Sequence, residues 1–256
     1  MVKLGGAVVG DQAGLLAELA DLCHRAPLVV VHGGGGRVTV WLQRLGIATR
    51  FEAGLRVTDE ATLEVATAVL RGALNVELVA ALRRLGADAV GVSGVDGGLI
   101  SGRRMPGLGL VAEVTTVGRG LLDALLADGR VPVVAPVALD ELGAVCNVNA
   151  DDAAVAIARA IGAAQLLLLT DRDGVHDAGG RRIAVLEPAG VVALIDAGVI
   201  TAGMIPKVRA ALGAVADGGA GEAVIADGSA RGAIERALAD TGFGSRALAA
   251  APSAAR

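Results

Sequence analysis

The sequence predicts an α/β fold, a three-layer αβα sandwich around a mainly parallel open sheet. Short apolar blocks of the strand type alternate with segments of helical period along most of the chain, and glycines close several of the helical segments. This alternation is typical of strands joined by crossover helices. At 256 residues the chain can bury a large core. No linker or internal repeat divides the chain, so if it forms two lobes, they must pack directly against each other.

The first half of the chain contains most of the predicted strands. They are residues 2–9, 28–31, 89–92, 111–114 and 131–134. Helices are predicted at 12–24 with Asp11 as N-cap, through 41–45 up to Gly46, as a pair over 58–85 that breaks near Gly72 and ends at Gly86, and at 121–127. Glycines after strands mark the places where ligands bind in open α/β sheets.

The second half continues the same alternation. Helices are predicted at 153–161, 205–216 and 230–238, and strands at 165–170 and 223–226. Residues 247–256 are rich in alanine and are predicted to be a disordered tail.

Composition excludes several classes of protein. No apolar run approaches the ~18 charge-free residues of a membrane span, and the N-terminus lacks a secretory signal, so we expect a cytoplasmic protein. Cys23 and Cys146 have no metal-site spacing and are expected to be core thiols. A net charge of -4 and very few aromatic residues disfavour nucleic-acid binding. A small-molecule ligand is the better expectation.

Lysine is almost absent from this chain. There are 23 basic residues, and only Lys3 and Lys207 are not arginine. The two lysines could have survived by chance. Alternatively, both positions need a compact ammonium point charge, which the planar guanidinium of arginine does not reproduce.

Four glycines follow the strand at 28–31. Gly33 to Gly36 could form a simple tight turn, or they could let the backbone approach an anion and present its N–H groups. The segment fits neither the Walker A nor the G-x-G-x-x-G pattern. With His32 it resembles the HGGG loop of lipases, but the nearest G-x-S-x-G candidate, Gly91 to Val95, lacks the final glycine. We therefore expect His32 to be a hydrogen-bonded histidine at a strand end.

Six short motifs, in order and at matching spacing from Val2 to about Arg246, resemble those of the amino acid kinase superfamily, and most closely its acetylglutamate kinase family. They are Lys3-Leu-Gly-Gly6, Val31-His-Gly-Gly-Gly35, Gly54-Leu-Arg-Val-Thr-Asp59, Asn147-Val-Asn-Ala-Asp151, Leu169-Thr-Asp-Arg-Asp-Gly-Val175 and Gly203-Met-Ile-Pro-Lys-Val208. Both lysines lie in motifs that this family uses for catalysis. This favours a requirement for lysine at both positions over their survival by chance.

The resemblance implies a fold, a reaction and two lobes. The expected reaction is phosphoryl transfer from MgATP to the side-chain carboxylate of N-acetyl-L-glutamate, an early step of arginine synthesis. Residues 1–150 would bind the acid and dimerise, and residues 151–246 would bind the nucleotide. A carboxylate is already a nucleophile, so positioning and electrostatics would carry the reaction without a general base. With no acidic cluster in the sequence, Mg²⁺ is expected to arrive on the phosphates and no protein metal ligands are predicted.

The same resemblance implies roles for individual residues. The predicted catalytic residues are Lys3, Lys207 and Asp151, with Asp151 holding both lysines. The predicted acid-binding residues are Gly34, Gly35, Arg56, Asn147 and Asn149. The predicted nucleotide-binding residues are Gly6, Thr170, Asp171, Gly174, Val175, Val199, Ile200 and Thr201.

Departures from the family pattern bear on substrate specificity. Val76 follows Asn75 where relatives usually have lysine, Gly36-Arg37 replaces a proline and an acid, and residues 105–112 are short and apolar. Two alternatives stay open: a sister kinase whose aminoadipate or glutamate substrate is attached to a carrier protein, and a non-catalytic amino acid sensor. Relatives inhibited by arginine carry an extra helix before the first strand and form hexamers. The sequence therefore predicts a homodimer that is insensitive to arginine.

Overall fold

The structure, a computed structural model, describes residues 1–6, 13–201 and 203–249. Its strands are β1 (Val2–Leu4), β2 (Val30–His32), β3 (Phe51–Glu52), β4 (Leu55–Arg56), β5 (Ala89–Ser93), β6 (Ile100–Arg104), β7 (Val111–Val117), β8 (Val131–Ala135), β9 (Val137–Asp140), β10 (Val145–Val148), β11 (Gln165–Thr170), β12 (Glu222–Asp227) and β13 (Ser245–Leu248). Its α-helices are α1 (Ala13–Cys23), α2 (Gly35–Arg44), α3 (Glu60–Thr67), α4 (Asn75–Arg84), α5 (Gly120–Ala127), α6 (Ala150–Ile161), α7 (Pro188–Asp196), α8 (Ile205–Val215) and α9 (Ala233–Ala239).

A seven-stranded sheet runs through the middle of the molecule. Its order is β13-β12-β11-β1-β2-β8-β5, and all neighbours are parallel except β12 and β13. The sheet crosses the boundary predicted between the two lobes without a break. It places β1 between β11 and β2, with Lys3 opposite Leu168 and Val31. The mainly parallel α/β fold is confirmed, and Lys3 lies at its centre.

Both faces of the sheet are covered. Along β11, Leu166 and Leu168 belong to one apolar cluster, whereas Leu167 and Leu169 belong to another. Helices α6 and α8 contribute to the first cluster, and α1, α4 and α9 to the second. A parallel strand buried on both faces reads as a continuous apolar run, which is why β11 could be predicted from the sequence. The layers confirm the αβα sandwich.

A small closed barrel of β10, β7, β6 and β9 packs beside the sheet. The sequence predicted only part of β7 and none of the other three strands. Strand β6 has the sequence ISGRR and β10 the sequence VCNV, and neither is an apolar block of the kind that indicates a buried strand. The two-residue strands β3 and β4, which form a hairpin, were missed for the same reason.

The predicted helical pair over 58–85 is one continuous helix of 25 residues, Glu60–Arg84. The prediction of a break at Gly72 is wrong because the chain passes from α3 to α4 through a π-helical segment, Ala68–Leu74. By length and composition alone this helix could cross a membrane. Its residues Leu78 and Leu82 pack into the core beside the sheet, and packing of this kind accounts for its apolar composition.

The chain ends differ from the predictions. Strand β1 stops at Leu4, and residues 7–9 of the predicted strand lie outside the described residues, as does the proposed cap Asp11. The prediction of a disordered tail from residue 247 is wrong at its start, since Ala247 is fully buried and Leu248 pairs with Glu222 in β13. Residues 250–256 lie outside the described residues. Helix α7 was also missed.

Candidate active site

Two glycine segments interlock where β1 and β2 end. Gly33 N–H donates to Leu4 O at 2.8 Å, and a Cβ placed on Gly6 would lie 3.3 Å from Gly34 N. A Cβ on Gly34 would come within 2.8 Å of the side chains of Leu70 and Leu74. Any other residue at position 34 would therefore require the side chains of Leu70 and Leu74 to shift. The sequence left two roles open for these glycines, a simple tight turn and a close approach of the backbone. The short distances in this loop favour the close approach.

Helix α2 begins at Gly35, directly after this loop. Gly35 lines a cavity of about 220 Å³, and the N-terminus of a helix attracts anions. The predicted residues that line this cavity are Lys3, Gly6, Gly34, Gly35, Arg56, Asn147, Asn149 and Asp151. The structure thus brings together all the predicted acid-binding residues. The hairpin residues Phe51 and Gly54 also line it, and sequence reasoning missed them.

A single carboxylate joins the two lysines of the chain. Asp151 Oδ1 lies 2.5 Å from Lys3 Nζ, and Asp151 Oδ2 lies 3.1 Å from Lys207 Nζ. The exposed fractions of the side chains are 5% for Lys3, 8% for Asp151 and 20% for Lys207. Residues 3 and 207 therefore meet across one cleft.

Burial and the oppositely charged neighbours shift the pKa values of Asp151 and Lys3 in opposite directions. Burial alone would raise the pKa of Asp151, but the ammonium groups of Lys3 and Lys207 more than offset it, so this pKa lies below its ordinary value. Burial lowers the pKa of Lys3, and the attraction of Asp151 offsets only part of that shift. Asp151 is thus an anion at neutral pH, and it compensates for two cations in a poorly hydrated place.

Asn149 caps the helix that carries Asp151. Its Oδ1 accepts from the N–H groups of Asp151 at 2.7 Å and Asp152 at 3.2 Å, which fixes the first turn of α6. Asp151 therefore lies in the first turn of α6, and Asn149 is the N-cap. The cap engages the oxygen of Asn149, so only its Nδ2 stays available to a ligand. Asn147 Nδ2 donates to Thr58 Oγ1 in a long contact of 3.4 Å.

Arg56 reaches the same cavity from β4. Its Nη2 donates to Gly35 O and to Thr39 Oγ1, both at 2.8 Å, and its guanidinium stacks on Phe51 with 4.7 Å to the ring centre. Nη1 is buried and meets no acceptor within the described parts of the chain. Burial lowers the pKa of Arg56. A buried guanidinium nitrogen without an acceptor fits a carboxylate ligand. Thr39, one helical turn after Gly35, carried no signal in the sequence.

A second cavity, of about 390 Å³, lies where β11 ends and α8 begins. The predicted nucleotide-binding residues that line it are Thr170, Asp171, Gly174, Val175, Val199, Ile200 and Thr201. Gly6 is the exception, since it lines the first cavity. Arg172 and His176 line the second cavity too, although neither was predicted. Lys207 also belongs to the second cavity, and its bond to Asp151 connects it to the first.

Other candidates from the sequence have structural partners. His32 is fully buried and bonded, as expected. Ser93, the closest match to a hydrolase nucleophile, donates to Asp96 at 2.8 Å. Cys146 is buried, whereas Cys23 is only partly so. Within residues 1–6, 13–201 and 203–249 no three His, Cys, Asp or Glu side chains come together as a metal site.

Comparison with known proteins gives a consistent result. The profile of the amino acid kinase family matches residues 1–227. A protein of Solibacter usitatus named acetylglutamate kinase is 46% identical over 255 residues, covering 98% of this chain and 99% of the relative. A protein of Rubrobacter xylanophilus with the same name is 47% identical over 240 residues, covering 93% of this chain and 92% of the relative.

Among solved structures, smu.665 from Streptococcus mutans superposes with a TM-score of 0.83 at 28% identity, covering 88% of this chain and 93% of the other. The N-acetylglutamate synthase of Neisseria gonorrhoeae superposes with a TM-score of 0.85 at 21% identity. That match covers 98% of this chain and 59% of the synthase, and at this identity it supports the fold alone.

Proposed function

The chain belongs to the amino acid kinase family, and we propose that it transfers the γ-phosphoryl group of ATP to the side-chain carboxylate of N-acetyl-L-glutamate. Relatives that share close to half of its residues over nearly their full length carry the name acetylglutamate kinase. The product, an acyl phosphate, belongs to arginine synthesis. One observation carries the proposal: the carboxylate of Asp151 holds two ammonium groups at the junction of two cavities.

The reaction needs charge neutralisation more than proton transfer. An oxygen of the substrate carboxylate forms a bond to the γ-phosphorus, the bond from that phosphorus to the β,γ-bridging oxygen breaks, and ADP leaves with the electron pair. No proton has to be removed from the nucleophile. The barrier arises from bringing an anion to a polyanion, and fixed positive groups lower it.

In this proposal Lys3 and Lys207 stabilise the transferring group from the acid side and the nucleotide side. Asp151 keeps both ammonium groups in place, and the Gly6, Gly34 and Gly35 N–H groups add further donors. The buried position of Lys3 supports this role, because charge acts more strongly where water is excluded.

Arg56 binds the α-carboxylate of the acid through Nη1, and Asn147 and Asn149 contribute polar contacts. The free nitrogen of Arg56 supports this assignment. The second cavity takes the nucleotide, so residues 1–150 bind the acid and residues 151–246 bind ATP. Mg²⁺ comes with the phosphates of ATP and supplies positive charge there. Each oxygen of Asp151 already faces a lysine ammonium group, which supports a metal held by phosphate and water instead of by the protein.

The test is ADP formation with three acids side by side, N-acetyl-L-glutamate, L-glutamate and N-acetyl-L-aspartate, with the acyl phosphate trapped as a hydroxamate. We expect turnover with N-acetyl-L-glutamate, at least about 100-fold above the other two, since a cavity shaped for one acid discriminates by length and by its polar groups. Turnover with none of the three would contradict the proposal. It would favour a carrier-linked substrate or a sensor.

We also propose a cytoplasmic homodimer. Val40 and Trp41 are exposed on helix α2, Leu45 is exposed directly after that helix, and Val76 is exposed on α4. Exposed apolar side chains on two neighbouring helices support an interface with a second copy of the chain. Light scattering is expected to give twice the chain mass, and Trp41→Glu to give a monomer. Leu142→Glu, at an exposed position outside these two helices, is the control. A monomeric wild-type protein would contradict this part of the proposal.

A further inference from the structure

A chain of hydrogen bonds lies directly beneath the glycine loop. His32 Nδ1 lies 2.8 Å from Gly33 O, and His32 Nε2 lies 3.2 Å from Asn75 Nδ2. The same amide nitrogen lies 2.8 Å from Val133 O. His32 and Asn75 are both fully buried. Through these bonds the two polar side chains in the core connect one peptide of the loop to the sheet below it.

The partners fix which nitrogen of His32 carries the proton. Gly33 O can only accept, so Nδ1 is protonated and donates to it. Nε2 then has a free lone pair and accepts one N–H of Asn75, whose other N–H goes to Val133 O. Burial lowers the pKa of His32 to about 4, so the ring keeps this neutral form at neutral pH.

Holding Gly33 O also determines where the next N–H points. The peptide between Gly33 and Gly34 is planar and trans, so the Gly34 N–H is directed away from Gly33 O. Gly33 O faces the buried ring of His32, and Gly34 N–H therefore faces the opposite side, where the acid cavity lies. Among the described residues it donates no backbone hydrogen bond.

The long helix holds the other end of this chain. Asn75 follows the π-helical segment Ala68–Leu74, a feature found frequently at functional sites. Arg71 Nη1 donates to Asn75 Oδ1 at 3.2 Å, which sets the orientation of the amide. Leu70 and Leu74 of the same segment support Gly34 from below. Polar and apolar contacts from one helix therefore converge on one peptide.

We infer that His32 and Asn75 are positioning residues that lock the Gly33–Gly34 peptide so that Gly34 N–H points at the transferring phosphoryl group. The inference rests on the proposed function for the identity of that group. Neither side chain touches the substrate, and both act through the backbone.

Substitutions of His32 test its hydrogen bond to Gly33 O and its hydrogen bond to Asn75 separately. His32→Leu removes both, and we expect kcat to fall about 10-fold or more, because a displaced donor loses much of its value in the transition state. His32→Asn places an amide near the position of Nδ1 and restores donation to Gly33 O. His32→Gln reaches the position of Nε2 and restores only the contact with Asn75. The exposed His24→Leu is the matched control.

A purely structural role makes a different prediction. His32→Asn and His32→Gln each lose one buried hydrogen bond, so both should lower the melting temperature by similar amounts. If the inference holds, kcat recovers in His32→Asn and not in His32→Gln, while KM for ATP stays within about threefold in both. Equal kcat in the two variants at equal stability would overturn it. Should His32→Gln not fold, Asn75→Ala keeps the Gly33 contact and is expected to lower kcat less than His32→Leu.

A second readout does not depend on turnover. The residual dipolar coupling of the Gly34 N–H reports the orientation of this peptide directly. We expect it to be unchanged in His32→Asn and changed in His32→Gln, and an unchanged value in both variants would contradict the inference. A wild-type protein inactive on N-acetyl-L-glutamate would overturn the proposed function, whereas this coupling would still decide the role of His32.

Discussion

The two sides of the candidate site are built differently. On the acid side, Lys3 and Arg56 are buried, and Arg56 already makes two hydrogen bonds to the wall of its cavity. On the nucleotide side, Asp171 and Thr201 are exposed, and among the residues that the structure describes Lys207 donates a single side-chain hydrogen bond, to Asp151. A site fixed on strands and buried helix ends needs little ordering when its ligand binds. The acid side is therefore preformed, while ligand contacts complete the nucleotide side.

Asp151→Asn tests the residue that both sides of the site share, since Asp151 pairs with Lys3 and with Lys207. Lys3 would be left buried without an anion, and removing one partner of a buried pair costs about 3–5 kcal/mol. We expect this loss of stability in urea unfolding together with a fall in kcat of roughly 10³-fold, the upper range for one transition-state contact. Asp152→Asn, at the exposed neighbouring position, is the control. Similar effects in both variants would show that Asp151 has no special role.

Lys207→Arg tests the nucleotide side. The guanidinium keeps the charge but not the compact ammonium geometry, so we expect kcat to fall by about 10² while the protein stays folded. Arg209→Lys, two residues further along α8 and exposed, controls for the same exchange in reverse. Near-normal turnover would mean that charge alone suffices and that the scarcity of lysine in this chain is accidental.

Arg56→Lys tests whether the acid side is as specific as its geometry indicates. Lysine cannot keep the bonds to Gly35 and Thr39 and still offer a free nitrogen, so KM for N-acetyl-L-glutamate should rise about 10-fold. KM for ATP should stay within about twofold, because the nucleotide cavity is separate. Arg44→Lys, later in α2 and exposed, is the control. Equal changes in both KM values would contradict the separation of the two sides.

Glu77→Gln is expected to have the smallest effect. Arg37 and Glu77 form a bidentate ion pair between α2 and α4, but both side chains are substantially exposed. Solvent and salt screen such pairs, which typically contribute about 0–1 kcal/mol. Urea unfolding should show a change below about 1 kcal/mol, with kcat unaltered. A larger loss would show that the acid side depends on its surface as well as on its core.

The ion pair between Arg37 and Glu77 also bears on the departure from the family pattern at Gly36-Arg37. Arg37 looked like a departure that could alter the acid cavity, and the structure shows it paired with Glu77 on the outside. Strand β11 and the two lysines could be predicted because an apolar run and a rare residue are both visible in a single sequence. That Lys3 and Lys207 come together at Asp151 was expected only from the resemblance to a family, since no periodicity links residues 204 positions apart.

Other features carried no local signal. The barrel strand β10 is short and mixed, so burial by its neighbours decides its conformation. Thr39 and Asn75 are unremarkable on their helices until tertiary packing places Arg56 and His32 beside them. The fold depends on patterns that repeat along the chain, whereas these parts of the site depend on contacts between distant segments. For that reason the central sheet could be predicted from the sequence pattern, whereas the site residues came from the resemblance to a family.

Nitrogen NMR of the lysine side chains tests the central claim most directly. With only two lysines in the sequence, protein labelled with ¹⁵N at lysine Nζ should give two side-chain signals. We predict that Asp151→Asn shifts both signals and Asp152→Asn neither, and that Lys3 loses its proton at a pH below the ordinary lysine value of 10.5. If Asp151→Asn leaves either signal in place, the two ammonium groups do not share one carboxylate, and the account is wrong.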